Sequence, residues 1–147
     1  MKPLDTLAEP LLITTDDQGH VWLLVGTDSG FEALTRIYLA DIAVEFTPVV
    51  YYRSDFSVDE DGWTGGFADY PISVLPVDWE MAFGYEPLPA SLNLHANGLM
   101  LQGHNHSDDL FMYVKRPYDG LMPNTTYRVV FQVDLASNAP TGTAGVG

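Results

Sequence analysis

The sequence predicts an all-β fold, an antiparallel β-sandwich, from three observations. Apolar residues recur with period two, helical periodicity is nearly absent, and Gly, Pro, Asn and Asp punctuate the chain at short intervals. With 147 residues, 46 % of them apolar, and with 7 Phe, 8 Tyr and 3 Trp, the chain can bury one substantial core. Its ten prolines suit sheet edges and loops better than central strands.

From the N-terminus, the β-branched and apolar run Leu11–Thr15 is the first expected strand, and Asp17-Gln-Gly19 turns it into His20–Val25. Thr35–Phe46 is the longest apolar alternation. Shorter ones follow at Arg53–Val58 and Ile72–Leu75. Asn97-Gly98 reads as a turn before Leu99–Gln102, because its residue types tolerate positive φ. Leu110–Lys115 and, after the turn Asp119-Gly120, Thr126–Leu135 complete the series. In the last, Tyr127, Val129, Phe131, Val133 and Leu135 share one face, while Arg128, Gln132 and Asp134 share the other.

Twenty acidic residues against six basic ones give a formal charge of −14. Such a field repels phosphate backbones and anionic headgroups, so nucleic acid and membrane surfaces are poor partners, whereas neutral ligands, cations and basic proteins stay open. The chain has no cysteine, which removes disulfides, thiolate nucleophiles and sulfur-ligated zinc. No apolar run approaches the ~18 residues needed to span a bilayer, so membrane insertion is not expected. MKPLDTLAEPLLITTDD lacks the basic and unbroken apolar stretches of a signal peptide; the expectation is that a signal has been removed or that the chain begins inside a longer one.

Four groups of residues have chemistry to offer. His104 and His106 stand two apart in HNHSDD, so on an extended chain their rings and Asp108 face one side. That is a His-x-His-x-Asp face able to contribute to a zinc site, with Asp109 as base; the alternative is a polar loop feeding the next strand. Asp59 and Asp61 precede Gly62 in SVDEDG and offer hard oxygen ligands for a structural calcium, although the spacing is not that of an EF-hand. Gly26 to Gly30, GTDSG, contains the Asp-Ser-Gly of aspartic proteases but occurs once and follows Gly-Thr, so a turn is its expected use. The aromatic residues Trp63, Phe67, Tyr70, Trp79, Phe83 and Tyr85 crowd a Gly- and Pro-rich region, with Trp63 expected in the core. Tyr70, Trp79 and Tyr85 are the candidates for a platform that stacks on sugar faces.

DGLMPNTTYRVVFQVDLASN, Asp119 to Asn138, resembles a strand pair of galactose-binding-like jelly rolls, the architecture of many carbohydrate-binding modules. DFSVDEDGWTGGFADYP, Asp55 to Pro71, resembles their opening strand, and TRIYLADIAVEFTP, Thr35 to Pro48, their closing strand. With GFADYP and HNHSDDLFM, the chain is similar to a family of uncharacterised bacterial secreted proteins and lipoproteins of this fold. Here the closing strand precedes the opening one. The resemblance therefore implies either a circularly permuted domain or an incomplete one, with residues 1–48 as the tail of a preceding copy and residues 49–147 as the head of the next. In the second case the Thr126–Leu135 strand would keep an open edge and promote self-association.

The function expected from these readings is a non-catalytic binding or adhesion module in an extracellular or bacterial envelope setting, with carbohydrate or another envelope protein as partner. The alternatives are a metal-dependent hydrolase using His104, His106 and Asp108, and a purely structural assembly domain.

Overall fold

A computed structural model of the chain describes residues 2–3, 11–28, 34–47, 50–106 and 110–138. Among them are ten strands, β1 (Lys2–Pro3), β2 (Leu11–Thr14), β3 (Val21–Asp28), β4 (Leu34–Thr47), β5 (Val50–Ser54), β6 (Thr64–Ala68), β7 (Ala82–Pro87), β8 (Asn97–His104), β9 (Phe111–Tyr118) and β10 (Thr126–Ser137). They form two antiparallel sheets packed as a β-sandwich, with one short 3₁₀ turn at Ala90–Leu92 and no α-helix among the described residues.

The large sheet is built on β4 and β10, which pair from Arg128↔Thr47 to Ser137↔Ile37. On the far edge of β4, β8 covers the first half and β5 the second, while β7 lies outside β8. On the far edge of β10, β2 pairs at one end and β1 at the other. The register slips once: Asp134 faces Asp41, but Leu135 faces Leu39, so Ala40 is an extra residue on β4. This bulge changes which residues of β4 face inward. Ile37 and Leu39 point to the core before it, and Ile42, Val44 and Phe46 after it, so both halves of the strand bury apolar side chains.

The small sheet has the order β3-β9-β6. From its inner face Leu23, Met112 and Val114 meet Leu99, Leu101, Val129 and Val133 of the large sheet, and Trp63 and Phe56 fill the core between them. The loop from β9 to β10 is fastened from both sides. The buried Thr15 hydroxyl donates to the Met122 carbonyl at 2.7 Å and accepts from the Thr125 N–H at 3.1 Å, and the Tyr127 hydroxyl accepts from the Met122 N–H at 3.0 Å.

Most expected strands are present, some longer than their apolar runs. Three readings are corrected. Ile72–Leu75 is turn and loop, with Ile72 fully exposed, because the Val74 N–H bonds to the Pro71 carbonyl and closes a turn that breaks the extended run. The strand expected at Arg53–Val58 instead ends at Ser54. Asn97-Gly98 opens β8 rather than forming a turn. Gly98 is required there because a Cβ would lie 2.5 Å from the Leu39 carbonyl oxygen. β6 and β7 lie in the Gly-aromatic region that period two alone leaves irregular.

Tyr127→Phe removes the acceptor of the Met122 N–H while keeping the ring that packs edge-on against Phe46 at 5.9 Å. Its urea midpoint is expected to fall by the equivalent of about 1 kcal/mol. An unchanged midpoint would show that the hydroxyl does not fasten the loop.

Candidate binding surface

The structure brings together several of the residues singled out above, though not as a platform. Trp79 is 6 % exposed. Tyr70 packs against it at 6.3 Å and His106 edge-on at 5.8 Å. Its carbonyl accepts the His104 N–H at 2.7 Å. Tyr85 lies on the inner side of β7, where its hydroxyl donates to the Phe56 carbonyl and accepts from the Asn97 amide, both at 2.8 Å. Tyr70 and Tyr85 are partly buried against the core. These rings close the sandwich under its loops, which leaves Trp79 no open face for a sugar.

His104 and His106 do face one side, as period two requires, with ring centroids 4.0 Å apart. His104 Nδ1 lies 3.3 Å from Glu80 Oε1. Asp108 and Asp109 fall outside the described residues, and among the described ones no three His, Asp or Glu side chains are grouped to hold a metal. Asp28 ends β3 opposite Phe111, while Ser29 and Gly30 are likewise outside.

Asp59 and Asp61 have structural roles. Asp59 Oδ1 accepts the Asp61 N–H at 2.8 Å, and Asp61, at φ 49°, turns its carboxylate toward the interior. There Asp61 Oδ2 accepts from Arg116 Nη1 at 2.8 Å and from Ser54 Oγ at 2.5 Å. The Ser54 hydroxyl in turn accepts from Trp63 Nε1 at 3.0 Å. A guanidinium already answers the charge of Asp61, so a calcium ion there would have to displace Arg116.

Two open surfaces stand out among the described residues. One is a cleft of about 500 Å3 between the β5–β6 loop and the β7–β8 connection, lined by Asp55, Phe56, Ser57, Leu88, Leu94 and Asn97 among others. Hydrogen bonds from Ser57 hold the exposed Asp55 carboxyl below the usual carboxylate range.

The other is the outer face of the small sheet. Strand alternation sends Trp22 and Leu24 of β3 and Phe111, Tyr113 and Lys115 of β9 outward, opposite the buried Leu23, Met112 and Val114. Trp22 is 61 % exposed. Phe111 and Tyr113 stack at 5.9 Å and 28°. Glycines beside them make this possible. A Cβ at Gly66 would fall 2.5 Å from Tyr113 Cζ and one at Gly26 2.3 Å from Phe111 Cζ, so each ring occupies the space above a residue without a side chain. Lys115 completes the row, its Nζ 5.4 Å from the centre of the Trp22 ring and 6.0 Å from that of Tyr113. The three strands of this sheet contain one acidic residue, Asp28, against Lys115 and Arg116, so the face is nearly free of the carboxylates that dominate the chain. The signal in the sequence is that VWLLVG and LFMYVK alternate between two kinds of apolar residue, not between apolar and polar, and so load both faces of a sheet.

No family model, curated protein or solved structure matches the chain, so the chemistry of this surface is read from its geometry.

Next to the Asp61 network, Tyr118 packs against Phe46, Tyr52 and Trp63, and burial pushes its phenol up to about 12. Unfolded, the phenol ionises near 10. The stability it contributes is therefore complete below pH 10 and is lost as pH rises from 10 toward 12. Urea unfolding on either side of pH 10 is expected to show a smaller alkaline loss for Tyr118→Phe than for wild type; equal losses would mean that another group drives the decline.

Proposed function

We propose that this domain is a non-catalytic carbohydrate-binding module that holds a polysaccharide chain along the outer face of its small sheet. One observation carries the reading: a row of Trp22, Tyr113 and Phe111 lies on a sheet face whose glycines leave the rings room to lie down, with Trp22 mostly open to solvent. Sugar rings present flat C–H faces to such a row, and two polar side chains, Thr64 at its margin and Lys115 between Trp22 and Tyr113, orient the hydroxyls. An open face buries little of its ligand, so each contact is weak and affinity grows with the number of sugars engaged.

The same reading retains the galactose-binding-like jelly roll as the related architecture, supported by the resemblance of the segments around Asp55–Pro71 and Asp119–Asn138, and an extracellular or cell-envelope setting, where polysaccharides are met.

Trp22→Ala is expected to lower affinity for a bound polysaccharide about tenfold or more, a loss of roughly 1.4 kcal/mol or above. Its melting temperature should stay close to that of wild type, because the ring is exposed and substitutions of that kind cost within about 0.5 kcal/mol. Affinity electrophoresis and a thermal melt read the two quantities. Undiminished binding by the variant would remove the surface from consideration.

A further inference from the structure

We infer that the polysaccharide is anionic, of the uronate class, and that Lys115 is the group that reads its carboxylate; the inference rests on the carbohydrate reading above. Of the two cations on the strands of the small sheet, Arg116 is bound by Asp61 at 2.8 Å, whereas among the described residues no ion pair involves Lys115, as none involves Arg36 or Arg128 of the large sheet. The cross-strand partners of Lys115, Leu24 and Thr64, are uncharged. Two aromatic rings hold it instead, both within the distance of about 6 Å over which a cation is attracted to a ring face. In a chain with twenty acidic residues, the small sheet thus keeps an ammonium group available in the middle of its aromatic row.

The position matches the chemistry of a uronate. Nζ stands over the Trp22 ring, so a pyranose laid on the row beside it can turn the C5 substituent at its rim toward that ammonium. In a neutral hexose that substituent is a hydroxymethyl group, which offers an ordinary hydrogen bond. In a uronate it is a carboxylate, and the charge-assisted bond is roughly twice as strong.

The overall charge of −14 opposes any polyanion at long range, so the preference for a carboxylate comes only from close contact with Lys115, and a polymer with a carboxylate on every second sugar suits it better than one charged at every sugar. Solvent screens the chain's exposed carboxylates within about 8 Å at physiological salt.

The test uses the whole chain with polygalacturonate, alginate and hyaluronate, each beside its carboxyl-reduced form, in which the carboxylate has become a hydroxymethyl group and the backbone is otherwise kept. At least one acidic polymer is expected to bind tenfold or more tightly than its reduced form, and added salt should erode that preference. Lys115→Gln should bring the acidic form down to the level of the reduced one, Lys115→Arg should retain the preference, and both should melt as wild type does. Equal binding of acidic and reduced forms, or an acid preference that survives Lys115→Gln, would overturn the uronate assignment and leave the carbohydrate module standing. Binding of neither form of any polymer by the wild-type chain would overturn both.

Discussion

The pairing of β4 with β10 is the constraint on which the rest of the molecule depends. Every other strand of the large sheet attaches to one of these two or to a strand already attached: β8 and β5 share the free edge of β4, β2 and β1 share that of β10, and β7 follows β8. A single ladder of this length fails if its side-chain parity is wrong anywhere along it, because a slip of one residue turns the apolar set outward. The bulge at Ala40 solves this for β4, whose two apolar halves are out of phase with each other. It lies where β8 ends and β5 begins, so the change of parity coincides with a change of neighbour.

The small sheet has a different relation to solvent. Its inner face completes the core, and its outer face is apolar as well, which a half-buried antiparallel sheet does not need for stability. Trp22 and Leu24 gain little from folding while they remain exposed, and the glycines Gly26 and Gly66 weaken β3 and β6. Both choices suit the proposed role, in which a ligand covers this face. Arg116 shows the opposite use of a cation from the same strand as Lys115: it turns inward to the Asp61 carboxylate and lies 5.2 Å from the Tyr118 ring, tying the β5–β6 loop to β9.

Much of the fold was legible in the residues because its signal is local. Tyr127, Val129 and Val133 alternate with Arg128, Gln132 and Asp134 in β10, and that alternation needs nothing from elsewhere in the chain. The β6 and β7 strands were not legible: their glycines, Gly65, Gly66 and Gly84, interrupt the pattern, and Gly65 is there because the Phe83 ring from the other sheet occupies the space a side chain would take. The candidate surface was hidden for a related reason. Crowding of Trp and Tyr near Gly and Pro drew attention to Trp79, Tyr85 and Tyr70, yet exposure depends on what packs above a ring. For Trp79 that is His106 and Tyr70, brought over by the β8 and β6 ends, while the two apolar faces of VWLLVG do not tell which of them the second sheet covers.

The three tryptophans permit a direct decision. Trp63 and Trp79 are buried and Trp22 is not, so a chain labelled with 5-fluorotryptophan has three fluorine resonances of which one reports on the outer face of the small sheet. Titration with a polysaccharide that the protein retains is predicted to move the Trp22 resonance, assigned with Trp22→Phe, and to leave the other two in place. A shift confined to the Trp79 or Trp63 resonance, with Trp22 unmoved, would contradict the assignment of the binding surface.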